Sequence, residues 1–416
     1  MNPGGRYVLE NLERTYSSSG EGYLSGEGQG DIEITDSPEI YISGGKFAGH
    51  MDRMDSIDCS GLIGIPGFVD SHTHMVYAGG REQEFVMRAR GVSYLELLET
   101  GNGIMRTVRA TSGSTKDRIL RETMERLMIH VIHGATTVEM KTGYGMNLEN
   151  EEKMLDVMYS AEKIAGIRII KTLLPMHSRP PVNYAGDYVS DSIEMMKRLK
   201  SRADFTDVFC DQGAFSVEET ARYLEASEKE HIPIRIHADE IANIGATSLA
   251  ERFRIRSMDH LLKTGNEDLM HFTRGGSAAT ILPVTAFSLG EEYASGRVFI
   301  DHGIPVCIAS DVSPLSPVPN MQFAGNLAIR KCGMTPEEVL TALTCNPAVS
   351  LNAGGITGRI RDGMSADMLL FRANSLEDIF YRWETLIPEI IISQGRIMNI
   401  KEFFSSLYMK EGNDRA

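Results

Sequence analysis

Two histidines one residue apart, His72 and His74, close an apolar run, GFVDSHTH, at residues 67–74. Successive side chains of a strand alternate faces, so both imidazoles of such a pair point to one side, within reach of one metal ion. Two more residues of metal-ligand type end later apolar runs: His237 in IRIHADE and Asp311 in VCIASD. Imidazole nitrogens with one carboxylate oxygen suit zinc or iron, and such a set leaves a position open for water. An isolated His-x-His reads as readily as two alternating surface or core histidines. Ligand-type residues at three separate strand ends favour a shared metal centre instead.

Around these four lie residues able to handle a substrate. His260, in SMDHL, can serve as an electrophile or proton shuttle, or be a satisfied buried histidine. Glu240 follows His237 by three residues; it can move protons to a substrate nitrogen, or be an acidic residue favoured by a helix N-terminus. Arg81, in MVYAGGREQEF, follows paired glycines that let the loop bend close. Its guanidinium can hold a carboxylate in two-pronged fashion, although beside two glutamates it reads equally as a surface ion pair. Tyr144 in KTGYGMN and His177 in LLPMHSRPP offer rings to stack and groups to hydrogen-bond, with a turn tyrosine and a structural histidine as the plain alternatives. His130, His133, His231, His271 and His302 fall in helical stretches or at strand starts, and His50 in the N-terminal flank; none is assigned a function.

The elements that must position these groups repeat. Apolar runs occur at 67–74, 136–142, 167–175, 206–211, 232–240, 257–261, 278–284 and 305–311. Amphipathic stretches such as KDRILRETMERLMIHVIHG and VEETARYLEASEKEHI separate most of them. Eight strand-then-helix units predict an α/β fold, a (β/α)8 TIM barrel over 66–354, whose chemistry gathers at the carboxyl ends of the strands. The flanks, 1–65 and 355–416, read as short strands with turns, including DIEITDSPEIYIS and PEIIISQGRIM. Neither could bury much alone, so the two are expected to pair into a small β-sandwich.

Bulk composition narrows the function. The net charge of -15 excludes nucleic acid and anionic membrane as main partners, since both need a positive field. An anionic substrate would need a local cation, which Arg81 can supply. Cysteines at 59, 210, 307, 332 and 345 form no CxxC pair and read as reduced core thiols. With no signal-peptide core and no apolar window of membrane length, the expected location is cytoplasmic.

Together, IPGFVDSHTH, HADE, MDHL and the late SD resemble the amidohydrolase superfamily. HTHMVYAGGREQEF, GVSYLELLETGNGIMRTVRATS, KTGYGMN and LPMHSRPP narrow that resemblance to its imidazolonepropionase family, over about residues 30–400. The resemblance implies hydrolysis of the cyclic C–N bond of 4-imidazolone-5-propanoate to N-formimidoyl-L-glutamate in histidine degradation. It implies one zinc or iron ion per subunit on His72, His74, His237 and Asp311, with Asp311, His260 and Glu240 catalytic. It also implies substrate contacts at Arg81, Tyr144, His177, Glu240 and Ser316. Lys141 and Lys171 lie near strand ends, but the family resembled is mononuclear and uses no bridging carbamylated lysine. One stretch departs from the family pattern, in which Asn-Pro-Gly-Ser or Asn-Pro-Gly-Thr follows the aspartate. Here the run is Asp311-Val312-Ser313-Pro314-Leu315-Ser316, so Ser313 offers no amide and Leu315 adds bulk where substrate should fit. The expected partner is a small carboxylated heterocycle, and the default assembly a homodimer. The rivals are a deaminase of the same superfamily acting on an amidine-type ring carbon, and a non-catalytic barrel scaffold, which would show broken ligands.

Overall fold

Runs such as ATTVEMK and RIIKTLLPM, apolar on both sides, suit strands that are covered on both faces. In Ala135–Lys141 every residue is buried. The computed structural model describes residues 5–92 and 103–399. Residues 93–102 of the GVSYLELLETGNGIMRTVRATS stretch, and 1–4 and 400–416 of the two flanks, lie outside the described residues.

One eight-stranded sheet follows the chain in order. Its strands are Phe68–Asp70, Ala135–Lys141, Arg168–Met176, Phe205–Cys210, Ile234–Ala238, Ile255–His260, Ala278–Ile281 and Val306–Ile308. Each is parallel to its neighbours. The first and last meet beyond their regular ends. The Asp311 N–H donates to the His72 carbonyl at 3.0 Å, and the His74 N–H to the Val312 carbonyl at 2.8 Å. Below them the Ser310 N–H donates to the Asp70 carboxylate at 3.1 Å.

These closing bonds correct two expected strand ends. Regular pairing stops at Asp70 and Ile308, short of His74 and Asp311. The intervening backbone bonds instead to strands on both sides, with the Thr73 carbonyl accepting from the Lys141 N–H at 3.0 Å. Asp311 itself takes a left-handed φ of 51°, a conformation that costs a non-glycine residue and recurs at functional sites.

The outer helices begin where their caps say they should. Thr115 accepts from the Arg118 N–H to start Lys116–Ile132, and Ser216 with Glu219 forms a capping box on Val217–Lys229. Ile119, Met124, Leu127 and Val131 bury the inner stripe of the first, the 3.6-residue spacing that packs a helix on a sheet.

Both chain ends build the remaining β-structure. Lys46–Ala48, Ile40–Ser43, Tyr7–Glu10 and Asp55–Asp58 form a four-stranded sheet. Arg396–Ile397, Ile390–Ser393, Met368–Phe371, Ile63–Pro66, Arg14–Ser18 and Ile32–Asp36 form a six-stranded one. The strand Met368–Phe371 shows how they assemble. Met368 and Leu370 join Leu9, Ile42 and Phe47 in the core between these sheets, while Leu369 and Phe371 join the barrel's core. The period of two in one strand thus fastens the β-structure to the barrel.

Candidate active site

The barrel's carboxyl end brings three imidazoles together. His74 Nε2 lies 3.3 Å from His72 Nε2 and 3.2 Å from His237 Nε2. Ligands about 2.1 Å from one tetrahedral ion are separated by about 3.4 Å, so this spacing fits a shared ion. The opposite nitrogens explain the orientation. His72 Nδ1 donates to Asp259 at 2.6 Å, and His237 Nδ1 to Asp207 at 3.1 Å. A carboxylate can only accept, so the proton sits on Nδ1 and the Nε2 lone pair is left for a metal.

Asp311 lies beside these three histidines. Its Oδ2 accepts from the Thr285 hydroxyl at 2.7 Å. Its Oδ1 lies 3.6 Å from His74 Nε2 and 3.8 Å from His72 Nε2, buried and without a hydrogen-bond partner among the described residues. A buried acceptor with no donor beside three converging imidazole nitrogens is the environment a cation satisfies.

The carboxylates behind the histidines are themselves held. Lys141 Nζ bonds Asp207 at 2.8 Å and Glu139 at 2.7 Å, so its buried ammonium supports His237 through Asp207. Asp259 accepts from the buried Arg235 guanidinium at 3.1 Å and from the Ser257 hydroxyl. Lys171 is bonded to Glu162 at 2.7 Å.

Burial sets the protonation pattern. It pushes His72, His74 and His260 well below the ordinary imidazole range and His177 to about 3. It also lifts Asp311 to about 7 and Glu240 well above the usual carboxylate range. Asp207 stays well below that range despite its burial, because His237 and Lys141 favour its charge.

Above the histidines opens a cleft bordered by Arg81, Tyr144, His177, Glu240 and His260. His260 Nδ1 lies 3.7 Å from Glu240 Oε2, and neither ring nitrogen has a hydrogen-bond partner among the described residues. The φ of 81° at His260 turns the chain sharply where the strand ends. Glu240 is placed by Asp211, whose carboxylate accepts the N–H groups of Glu240, Ile241 and Ala242 at 2.7 to 3.0 Å. Tyr144 rides a loop held in the same way. Glu151 accepts from the Gly143, Gly145 and Met146 N–H groups. Gly143, at φ 111°, must be glycine, since a Cβ there would lie 2.8 Å from His177 Nδ1. His177 stacks on His74 with ring centroids 4.5 Å apart.

Arg81 is buried and ion-paired with Glu84, so the surface ion pair open to it in the sequence becomes an interior one at the cleft wall. Ser316 lies behind that wall, wholly buried, its hydroxyl 3.1 Å from that of Ser288. Ser313, Pro314 and Leu315 border the cleft. Among the histidines given no role, His130 packs inside against Asp70, while His271 pairs with Glu251 on the outside. Sequence reasoning did not single out Asp207, Asp259, Glu84, Glu151 or Asp211. The signal for the first two was a charged residue inside a strand predicted to be covered on both faces, which must be paired.

The amidohydrolase family model matches residues 63–398. The chain is 42% identical to imidazolonepropionase of Thermoplasma acidophilum over 396 residues, covering 94% of this chain and 96% of the relative. It is 34% identical to imidazolonepropionase of Geobacillus thermodenitrificans over 404 residues, covering 92% and 95%. Among solved structures, the zinc complex of atrazine chlorohydrolase from Arthrobacter aurescens superposes with a TM-score of 0.73 at 16% identity, covering 97% of this chain and 99% of that one. Guanine deaminase of E. coli gives 0.72 at 15%, covering 94% and 99%. At these identities the two structures speak for the fold alone. Among the described residues no helix is long and apolar enough to cross a membrane.

Proposed function

The chain belongs to the amidohydrolase family and, within it, to the imidazolonepropionases, and from that premise we propose that it opens the ring of 4-imidazolone-5-propanoate in the cytoplasm, yielding N-formimidoyl-L-glutamate. The observation that carries this reading is the convergence of three imidazole Nε2 atoms and the partnerless Asp311 Oδ1 beneath a cleft walled by Arg81. One zinc or iron ion held by His72, His74, His237 and Asp311 would supply Lewis acidity, making water nucleophilic near neutral pH and polarising a carbonyl.

The chain's own residues do the rest. Arg81 holds the propionate, which fixes the ring carbonyl carbon toward Asp311. Tyr144 and His177 confine the ring plane. The Asp311 carboxylate takes a proton from the attacking water as its oxygen bonds to the carbonyl carbon. His260 stabilises the oxyanion that develops there. The bond from that carbon to the ring nitrogen then breaks, and Glu240, whose burial favours the protonated form, delivers the proton the nitrogen needs. The carbonyl carbon, still bonded to its ring carbon neighbour, becomes a carboxylate of the single open-chain product. The assembly is read as a homodimer, the commonest closed arrangement, which light scattering in solution checks.

Purified metal-loaded protein given freshly prepared imidazolone propionate should produce formimidoylglutamate without ammonia. Ammonia release would mark a deaminase, and an inert metal-loaded protein would refute the reading.

A further inference from the structure

We propose that Glu84 is a positioning residue that decides which edge of the Arg81 guanidinium meets the substrate, an inference that rests on Arg81 as the holder of the substrate's carboxylate. Glu84 lies in the helix Glu82–Ala89 and is fully buried. Its Oε2 accepts from Arg81 Nε at 2.7 Å and from Arg81 Nη2. Its Oε1 accepts from the Gly103 N–H at 3.0 Å. Gly103 caps the helix Ile104–Ser112, whose first residue also borders the cleft. One carboxylate therefore fastens Arg81 and a second part of the cleft wall to each other.

A guanidinium presents two edges that can grip a carboxylate in two-pronged fashion, one through Nε and one through its two terminal nitrogens. Glu84 occupies the Nε edge. While that pair stands, the terminal edge is the one that can take a ligand, and the long side chain keeps a single orientation. Charge alone would argue against this arrangement, because a buried carboxylate beside the cation weakens its pull on an anionic substrate. The two explanations predict opposite signs. If Glu84 acts by orientation, neutralising it weakens binding of the carboxylated substrate; if it only competes for charge, neutralising it strengthens binding.

The test compares wild type and Glu84→Gln, both metal-loaded, on imidazolone propionate and on its primary amide. We expect KM for the acid to rise about tenfold or more with kcat little changed, and kinetics on the amide to stay as in wild type. The preference for acid over amide then collapses. A KM for the acid that is unchanged or lower overturns the proposal. An equal loss on both substrates with a lower Tm also overturns it, since that is the mark of a structural role only. Should the variant fail to fold, Glu84→Asp supplies the second reading, keeping the charge but withdrawing the carboxylate from the Nε edge of Arg81. Collapse of the preference in Glu84→Asp supports the proposal, and wild-type preference overturns it. Arg81→Ala separates the underlying reading: if it still prefers the acid, Arg81 does not hold the carboxylate, whatever Glu84 does.

Discussion

Replacing Asp207 by asparagine separates the support of a proposed metal ligand from the support of the fold. Asp207 lies 3.1 Å from His237 Nδ1 and 2.8 Å from Lys141 Nζ. Asparagine keeps the shape but removes the charge that fixes the proton on Nδ1. Such changes behind a ligating histidine cost about 10–100-fold in metal affinity, or about 1.4–2.7 kcal/mol. The fold should lose much less, because Lys141 retains Glu139 at 2.7 Å and no buried charge is orphaned. Asp259→Asn is the contrast. Asp259 supports His72 at 2.6 Å and also pairs with the wholly buried Arg235 at 3.1 Å. Its removal should weaken metal binding similarly and also destabilise the metal-free protein by about 3–5 kcal/mol, the cost of breaking a buried pair. Zinc titration against a competing chelator measures the first quantity, and urea unfolding of the metal-free variants the second. Wild-type zinc affinity in Asp207→Asn, or equal loss of stability in the two metal-free variants, would refute the reasoning.

Other outcomes follow from single contacts. Glu240→Gln should lower kcat by about 10²–10⁴-fold with metal content unchanged by elemental analysis; an unaltered kcat removes Glu240 from the proton path. In Gly145→Ala the new Cβ would lie 2.5 Å from the Glu151 nitrogen, so Tm should fall, with a loss of about 1–3 kcal/mol, and KM should rise as the Tyr144 loop shifts. Calorimetry and kinetics matching wild type would mean that the loop yields freely. All five cysteines are buried, and burial raises Cys59 and Cys345 to about 11 and Cys210 and Cys332 to about 12. Since a raised thiol stays protonated at pH 8 and only the thiolate attacks, a thiol-specific disulfide reagent should label none in the native protein and all five after denaturation. Rapid labelling of a native thiol would contradict the packing.

The barrel and its four central ligand candidates were readable in the sequence because their signals are local. A His-x-His pair carries its own geometry, and an apolar run covered on both faces needs no knowledge of its neighbours. The ends of those runs were less readable. GFVDSHTH and VCIASD continue in sequence as strands, yet Ser310, Asp311 and Val312 spend their backbone groups closing the barrel against Asp70, His72 and His74. That exchange depends on two segments more than two hundred residues apart. The placement of Ser316 was hidden for a related reason: a hydroxyl on a loop near the site faces the cleft or the wall according to the turn, and here Ser313 and Ser316 exchange backbone hydrogen bonds at 3.2 Å, with Ser316 buried.

Least legible were the carboxylates that shape the cleft from behind. Glu84, Glu151 and Asp211 are buried, and each accepts backbone N–H groups from a segment carrying a side chain of the cleft wall. The need is general: loops that present chemistry at a barrel's mouth bury N–H groups with no ladder to join, and each one left unpaired is costly. A carboxylate answers several donors at once, as Asp211 does with three. In sequence these residues look like ordinary helix-start or strand-end acids, and they add to the net charge of -15 that makes the chain seem hostile to an anion. In the fold they accept from backbone N–H groups and from Arg81. On the proposed reading, the charge that matters to an anion is the local one at the Arg81 guanidinium, whose Nε edge is held by Glu84.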